Sequence, residues 1–378
     1  MKIYKKIVIV AGESSGDQHA ANYVKLHKII NPKITFSAIG QQELKKTIPR
    51  IIFDSEIISV VGITEVISKY SKIRYALNLA KSHMKDSKPD LVVLVDYVEF
   101  NLKVAEYAKE LGIPVLFYIA PQVWAWRKKR IKKIINLVDQ LAVVFKFEEK
   151  LFSQYTDKVT YVGHPLAEKS YLKPSEIDYN LRKTDLGIFP GSRQSEIKNN
   201  LHCMLDCIKI SNNESILNKN IKIFYSNNTA KEYISKLLPK GWEILLASGK
   251  DIDEIKNCKK ALTASGTITL ELAMMNIPMI VVYRLSTITY FIMKHLVKIK
   301  YIGLVNLILG KYLGEKPLVK EFIQPDYTDI IQIMLELQRI DNDVNYRENI
   351  ESNYSEIRNI LQPGASKNVA EIAEKLLK

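Results

Sequence analysis

Three short segments hold side chains that could grip an anion. Ala11-Gly12-Glu13-Ser14-Ser15-Gly16-Asp17 follows the apolar run Ile7–Val10, and Pro190-Gly191-Ser192-Arg193 follows Leu186–Phe189. The third, Ser265-Gly266-Thr267, follows Ala261–Ala264 and has Glu271 four residues further on. In each, a glycine lets the backbone approach a ligand closely. The helix that follows would aim unpaired N–H groups at it, which favours a negative group such as a pyrophosphate. Arg193 adds a permanent positive charge able to neutralise a leaving diphosphate, and Glu271 could accept both hydroxyls of a ribose. The plainer readings are a solvated arginine and a capped helix with a solvated glutamate.

A base is the other requirement if a hydroxyl is to attack. Asp96 lies just past the run Leu91–Val95, where a carboxylate could take a proton from a sugar hydroxyl. Glu13, Asp17 and Glu99 are alternatives, and any of the four could equally be a helix cap. Tyr283-Arg284 closes another apolar run, placing its side chains at the edge of a sheet where ligands bind.

Two stretches suggest surfaces rather than chemistry. Pro121-Gln122-Val123-Trp124-Ala125-Trp126 runs into Arg127-Lys128-Lys129-Arg130, which fits lipid contact, nucleic-acid contact or a solvated basic helix. Val60, Val61, Ile63, Val66 and Ile67 form an apolar entry with Lys69, Lys72 and Arg74 behind it, suited to headgroups or acyl chains, or else to a core helix. Ile288–Leu309 has a similar look, but Lys294, Lys298 and Lys300 exclude a spanning helix there.

The elements that must position these groups follow from the hydrophobic pattern. Short β-branched runs at 7–10, 35–39, 91–95, 115–119, 141–144 and 159–162 alternate with helical stretches, as in a parallel sheet of βαβ units. Gly163-His164-Pro165 ends this series and the polar stretch 173–183 reads as the passage between domains. A second series occupies 186–189, 221–225, 243–246, 261–264 and 279–282, and Pro363-Gly364-Ala365-Ser366 announces a last helix with Ser366 as its expected N-cap. The 378 residues therefore read as two α/β, Rossmann-like domains facing a cleft. With 55 basic and 41 acidic residues the net charge is +14, which favours phosphorylated substrates, anionic lipid or nucleic acid. Cys203, Cys207 and Cys258 form no disulfide framework, and with His202 they make no zinc site, in keeping with a reducing cytosol. The chain enters a strand at once, leaving no expectation of a signal peptide.

In these residues the sequence resembles the lipid-A-disaccharide synthase family. The resemblance is carried by the Ala11–Asp17 segment, Val61-Gly62-Ile63-Thr64-Glu65-Val66, Val123-Trp124-Ala125-Trp126-Arg127, Gly163-His164-Pro165 and Pro190-Gly191-Ser192-Arg193. Ser265-Gly266-Thr267 with Glu271, Tyr283-Arg284, and Asn306 ahead of Leu318-Val319-Lys320-Glu321 continue it in order along nearly the whole chain. It implies a GT-B glycosyltransferase, with an acceptor and membrane-associating domain at 1–168, a UDP-sugar-binding domain at 169–350 and a helical segment at 351–378.

The implied reaction is an inverting transfer. The 6-hydroxyl of 2,3-diacylglucosamine 1-phosphate attacks the anomeric carbon of UDP-2,3-diacylglucosamine, giving lipid A disaccharide 1-phosphate and UDP. The family's essential aspartate and arginine fall on Asp96 and Arg193. Substrate contacts are expected from Gly12, Glu13, Ser15, Gly16, Asp17, Ser192, Ser265, Gly266, Thr267, Glu271, Tyr283, Arg284, Asn306 and Glu321. Glu99 stands where the family usually has a second aspartate, so it is left out of the catalytic set. Arg193 and the turn N–H groups supply the charge that the diphosphate needs, so no metal or other cofactor is expected. The apolar patch at Val60, Val61, Ile63, Val66 and Ile67 becomes a membrane and acyl-chain surface, placing the protein in the cytoplasm against the inner membrane. A homodimer stays open and no nucleic-acid partner is expected. The competing readings are a UDP-sugar 2-epimerase of the same fold, which would need no acceptor, and a basic nucleic-acid-binding protein, for which no recognition motif is present.

Overall fold

A computed structural model describes residues 4–58, 68–120, 130–211, 220–285, 290, 301–312 and 317–378. The expected membrane patch at Val60, Val61, Ile63, Val66 and Ile67 and the tryptophan segment 121–129 lie outside these residues. The chain divides into two compact units, Met1–Glu168 with Leu361–Lys378, and Lys169–Ile360.

In the first unit, strands β1 (Lys5–Ala11), β2 (Ile34–Gly40), β3 (Arg50–Asp54), β4 (Leu91–Val95), β5 (Val115–Tyr118), β6 (Gln140–Val143) and β7 (Val159–Tyr161) form one sheet. They lie in the order β3-β2-β1-β4-β5-β6-β7, and every pairing is parallel. Ile7, Val8, Ile9 and Val10 are all buried, as are Leu91 to Val95, so helices cover both faces of the sheet centre. This explains why these strands read as continuous apolar runs and not as alternating ones. Each fully buried aliphatic side chain contributes about 1.5–3 kcal/mol.

The second unit repeats the plan with β8 (Leu186–Phe189), β9 (Ile221–Tyr225), β10 (Leu246–Ser248), β11 (Ala261–Thr263), β12 (Met279–Tyr283) and β13 (Glu321–Ile323) in the order β10-β9-β8-β11-β12-β13. Its cysteines, Cys203, Cys207 and Cys258, are free and buried. Among the described residues no helix is long and apolar enough to cross a membrane.

Three local expectations change. The run expected as a strand at 243–246 is a 3₁₀ turn, Trp242–Leu245, and β10 begins only at Leu246. The edge strands β3 and β13 are additions; β3 is only half buried, so its hydrophobic signal is weak. The N-cap of the last helix, Ala365–Leu376, is Gly364 at φ 109°, not Ser366. Ser366 instead donates from its N–H and its hydroxyl to Glu168, at 2.7 and 2.6 Å.

The C-terminal stretch divides where the chain crosses back. Residues up to Ile360 stay with the second unit, while the last helix, with Ala365, Val369 and Ala373 buried, packs against Ser14–Ile30 of the first. Gly163-His164 receives this return. His164 N–H donates to the Gln362 carbonyl at 2.6 Å, and a Cβ at Gly163 would lie 2.7 Å from the Pro363 carbonyl oxygen. On the far side His27, buried, bonds Glu374 at 2.8 Å.

Candidate active site

In each sheet the strand order reverses at one place, between β1 and β4 in the first and between β8 and β11 in the second. Ligands of open α/β sheets bind beyond the carboxyl ends of the strands at such reversals. The segments selected from sequence lie there: Gly12–Asp17 after β1 and Asp96 after β4, then Pro190–Arg193 after β8 and Ser265–Thr267 after β11.

In the first unit, β1 and β4 pair with Ala11 opposite Val95, so Gly12 and Asp96 leave the sheet side by side. Asp96 and Tyr97 both have positive φ, 51° and 46°, a conformation costly for side-chain-bearing residues and concentrated at functional sites. The buried Asn101 holds this corner. Its Nδ2 donates to the carbonyls of Asp96 (2.6 Å), Val95 (3.2 Å) and Val10 (3.4 Å), stitching the two strand ends together. Burial raises the Asp96 carboxyl above the ordinary aspartate value, opposed by a hydrogen bond from the Tyr97 backbone.

Gly12 is required by packing as well as by any ligand, since a Cβ there would lie 2.1 Å from Tyr97 Cδ1. The Tyr97 hydroxyl, its pKa pushed up to about 12 by burial, donates to the Ile58 carbonyl at 2.7 Å. At Gly16 a Cβ would sit 3.6 Å from Asp96 Cβ, so the first turn of helix Ser14–Ile30 lies against Asp96. Glu13 is the N-cap residue of that helix and Ser15 is half buried within its first turn.

Asp17 is tied into the scaffold. Its buried carboxylate accepts the backbone N–H groups of Gln41 (2.6 Å) and Glu43 (2.8 Å), at the start of helix Gln42–Thr47. Both oxygens therefore serve the scaffold, and Gln41 Nε2 passes the restraint on to the Gly12 carbonyl at 3.1 Å. Glu99 is exposed and ion-paired with Arg130.

The second unit assembles its residues around three loops. Gly191 has φ 121°, and the Ser192 N–H and Arg193 Nη1 both point at the Glu196 carboxylate. Asn200, fully buried, donates to the Pro190 carbonyl at 3.1 Å and accepts the Arg284 N–H at 2.7 Å, tying the end of β8 to the end of β12. Tyr283 ends β12, and burial raises its phenol, assisted by the Glu196 charge and opposed by Arg193.

After β11, Gly266 takes φ 154° and caps helix Thr267–Met274, and among the described residues no atom beyond its chain neighbours lies within 4 Å of where a Cβ would stand. Ser265 Oγ donates to the Ile302 carbonyl at 2.8 Å. Glu321 accepts the N–H groups of Ile302 (2.7 Å) and Gly303 (3.1 Å) and the amide of Asn306 (2.6 Å). Asn306 Oδ1 in turn accepts from Leu318 and Val319, each at 3.0 Å. Asn306 and Glu321 thus build the loop on which Ser265 rests. Glu271 is held at 2.8 Å by the buried amine of Lys169, whose pKa is lowered by burial but raised overall by that carboxylate. No local motif reveals Asn101, Asn200 and Lys169, since each ties its own segment to a partner far along the chain, Val10, Arg284 and Glu271 respectively.

Comparison with known proteins gives these two corners a family. The family described as lipid-A-disaccharide synthetase matches residues 7–376. A lipid-A-disaccharide synthase of Geobacter metallireducens is 34% identical over 99% of this chain and 97% of its own. One from Nitrosococcus oceani is 36% identical over 98% and 96%. Among solved structures, a glycotransferase of kitacinnamycin superposes with a TM-score of 0.62 at 11% identity, covering 99% of this chain and 100% of its own. The UDP-GlcNAc 2-epimerase of Neisseria meningitidis does so at 0.60 and 14%, covering 98% and 99%. At such identities the structures speak for the fold, two parallel-sheet α/β units of the GT-B kind, whereas the sequence relatives speak for the family. This chain belongs to the lipid-A-disaccharide synthetase family of glycosyltransferases.

Proposed function

We propose that the protein joins UDP-2,3-diacylglucosamine to 2,3-diacylglucosamine 1-phosphate by inverting transfer. The acceptor's 6-oxygen bonds to the anomeric carbon of the donor while its proton passes to the Asp96 carboxylate. The bond from that carbon to the diphosphate breaks, and UDP leaves with the electron pair. Arg193, the Ser192 N–H and the start of helix Thr267–Met274 offset the charge that develops on the diphosphate. Glu271, oriented by Lys169, takes the ribose hydroxyls. Gly12, Glu13, Ser15 and Gly16 border the acceptor sugar, while Asp17, Asn306 and Glu321 act as supports.

The observation that carries this reading is the coincidence of family motif and topology. Of the segments matched to the family, Gly12–Asp17 with Asp96 and Pro190–Arg193 with Ser265–Thr267 lie at the two strand-order reversals, and an aspartate with positive φ stands at the first of them. A 2-epimerase reading shares the fold but not the family. Incubating the UDP-sugar with and without the acylated acceptor separates them: UDP and a disaccharide form only when both are present, and conversion of the donor alone would favour the epimerase.

The acylated substrates also give the patch at Val60, Val61, Ile63, Val66 and Ile67 a purpose as a membrane-facing surface. In support, Ile57, Tyr70 and Tyr75, before and after it in the sequence, are exposed, and Lys72 and Arg74 follow with positive charge suited to anionic lipid. Replacing Val60, Val61, Ile63 and Val66 with serine is expected to abolish co-flotation with anionic vesicles; undiminished flotation would count against the surface.

A further inference from the structure

Glu196 already engages the donors that the proposed reading assigns to the diphosphate. Its Oε1 accepts from Arg193 Nη1 at 2.9 Å and its Oε2 from the Ser192 N–H at 3.2 Å. A Cβ at Gly191 would lie 2.8 Å from Glu196 Cβ and 3.0 Å from Oε2, so the glycine makes room for this carboxylate. The Glu196 side chain is only 11% exposed and sits in the first turn of helix Gln194–Ser211, where the helix terminus favours a negative group. A carboxylate and a phosphate recruit the same donors with the same geometry, and two anions cannot share them without repulsion.

We propose that Glu196 is an internal stand-in for the diphosphate: it occupies the Ser192–Arg193 donors between turnovers, yields them when the UDP-sugar binds, and reclaims them as UDP leaves. This rests on the reading of the Pro190–Arg193 turn as the diphosphate's seat. The arrangement keeps Arg193 oriented without a ligand and lowers the affinity for the product, because binding must first break the internal pair.

Calorimetric titration with UDP tests it, using wild type, Glu196→Gln, Arg193→Ala and the double variant, each checked for folding by its melting curve. Glu196→Gln is expected to bind UDP about fivefold more tightly at low salt, the range set by a partly exposed ion pair. That gain disappears in the Arg193→Ala background, which a merely structural glutamate would not produce. Glu196→Asp keeps the charge but shortens the reach, and is expected to tighten binding too if the glutamine variant does not fold. Unchanged or weaker UDP binding by both single variants at Glu196 overturns the stand-in. A wild-type protein that binds no UDP would instead remove the reading of the turn on which it rests.

Discussion

Asp96→Asn is expected to lower kcat by about 10²- to 10⁴-fold, the usual contribution of a positioned general base, while leaving UDP affinity within about twofold of wild type. Asparagine is the informative replacement because it tolerates the left-handed backbone that residue 96 adopts at φ 51°, so the corner held by Asn101 survives. The pH dependence carries a second signature. Burial raises the Asp96 pKa above 3.8, and the base works only as carboxylate, so kcat/KM falls as pH drops through a value higher than that of an ordinary aspartate. The sign for stability is the reverse. A folded state that holds its proton more tightly than the unfolded chain loses stability as pH rises through that window, so at neutral pH Asp96→Asn should melt at or above the wild-type temperature. A variant that is both inactive and markedly less stable would point to a structural aspartate.

Arg193→Ala is the second large effect. Removing one preorganised charge from a leaving diphosphate is expected to cost about 10²- to 10³-fold in kcat/KM, and unlike Asp96→Asn it should also weaken UDP itself. Lysine at 193 should recover only part of the loss, since an ammonium cannot reproduce the planar, two-toothed contact of a guanidinium. The pair of variants therefore separates along two axes, turnover alone for Asp96 and turnover with UDP affinity for Arg193. Steady-state kinetics beside UDP titration reads both.

Much of this was legible because both sheets are parallel and covered on two faces. Their central strands stand out as uninterrupted apolar runs, and the turns after them carry glycines at the point of strand reversal. What escaped depended on partners far along the chain. The edge strand at Arg50–Asp54 carries a charge at each end and is half buried, so neither alternation nor a continuous apolar run marks it. Asp17 sits in a family motif, yet its carboxylate serves the amides of residues 41 and 43, which only the fold brings near. Ser366 follows the usual pattern of a helix cap, but a glycine with positive φ took that place and freed the serine for Glu168. Asn101 and Asn200 illustrate the same limit at the site: each sits on the helix following a motif and binds the ends of two strands, one in each unit.

The central claim is that Asp96 accepts the proton from an acylated sugar whose oxygen displaces UDP. The most direct measurement supplies both acylated substrates in detergent and follows UDP release and disaccharide formation together, for wild type and Asp96→Asn. The account predicts equal amounts of UDP and disaccharide from wild type, and at least a hundredfold slower release from Asp96→Asn, the lower end of general-base effects. Wild-type protein that releases no UDP, or Asp96→Asn that releases it undiminished, would contradict it.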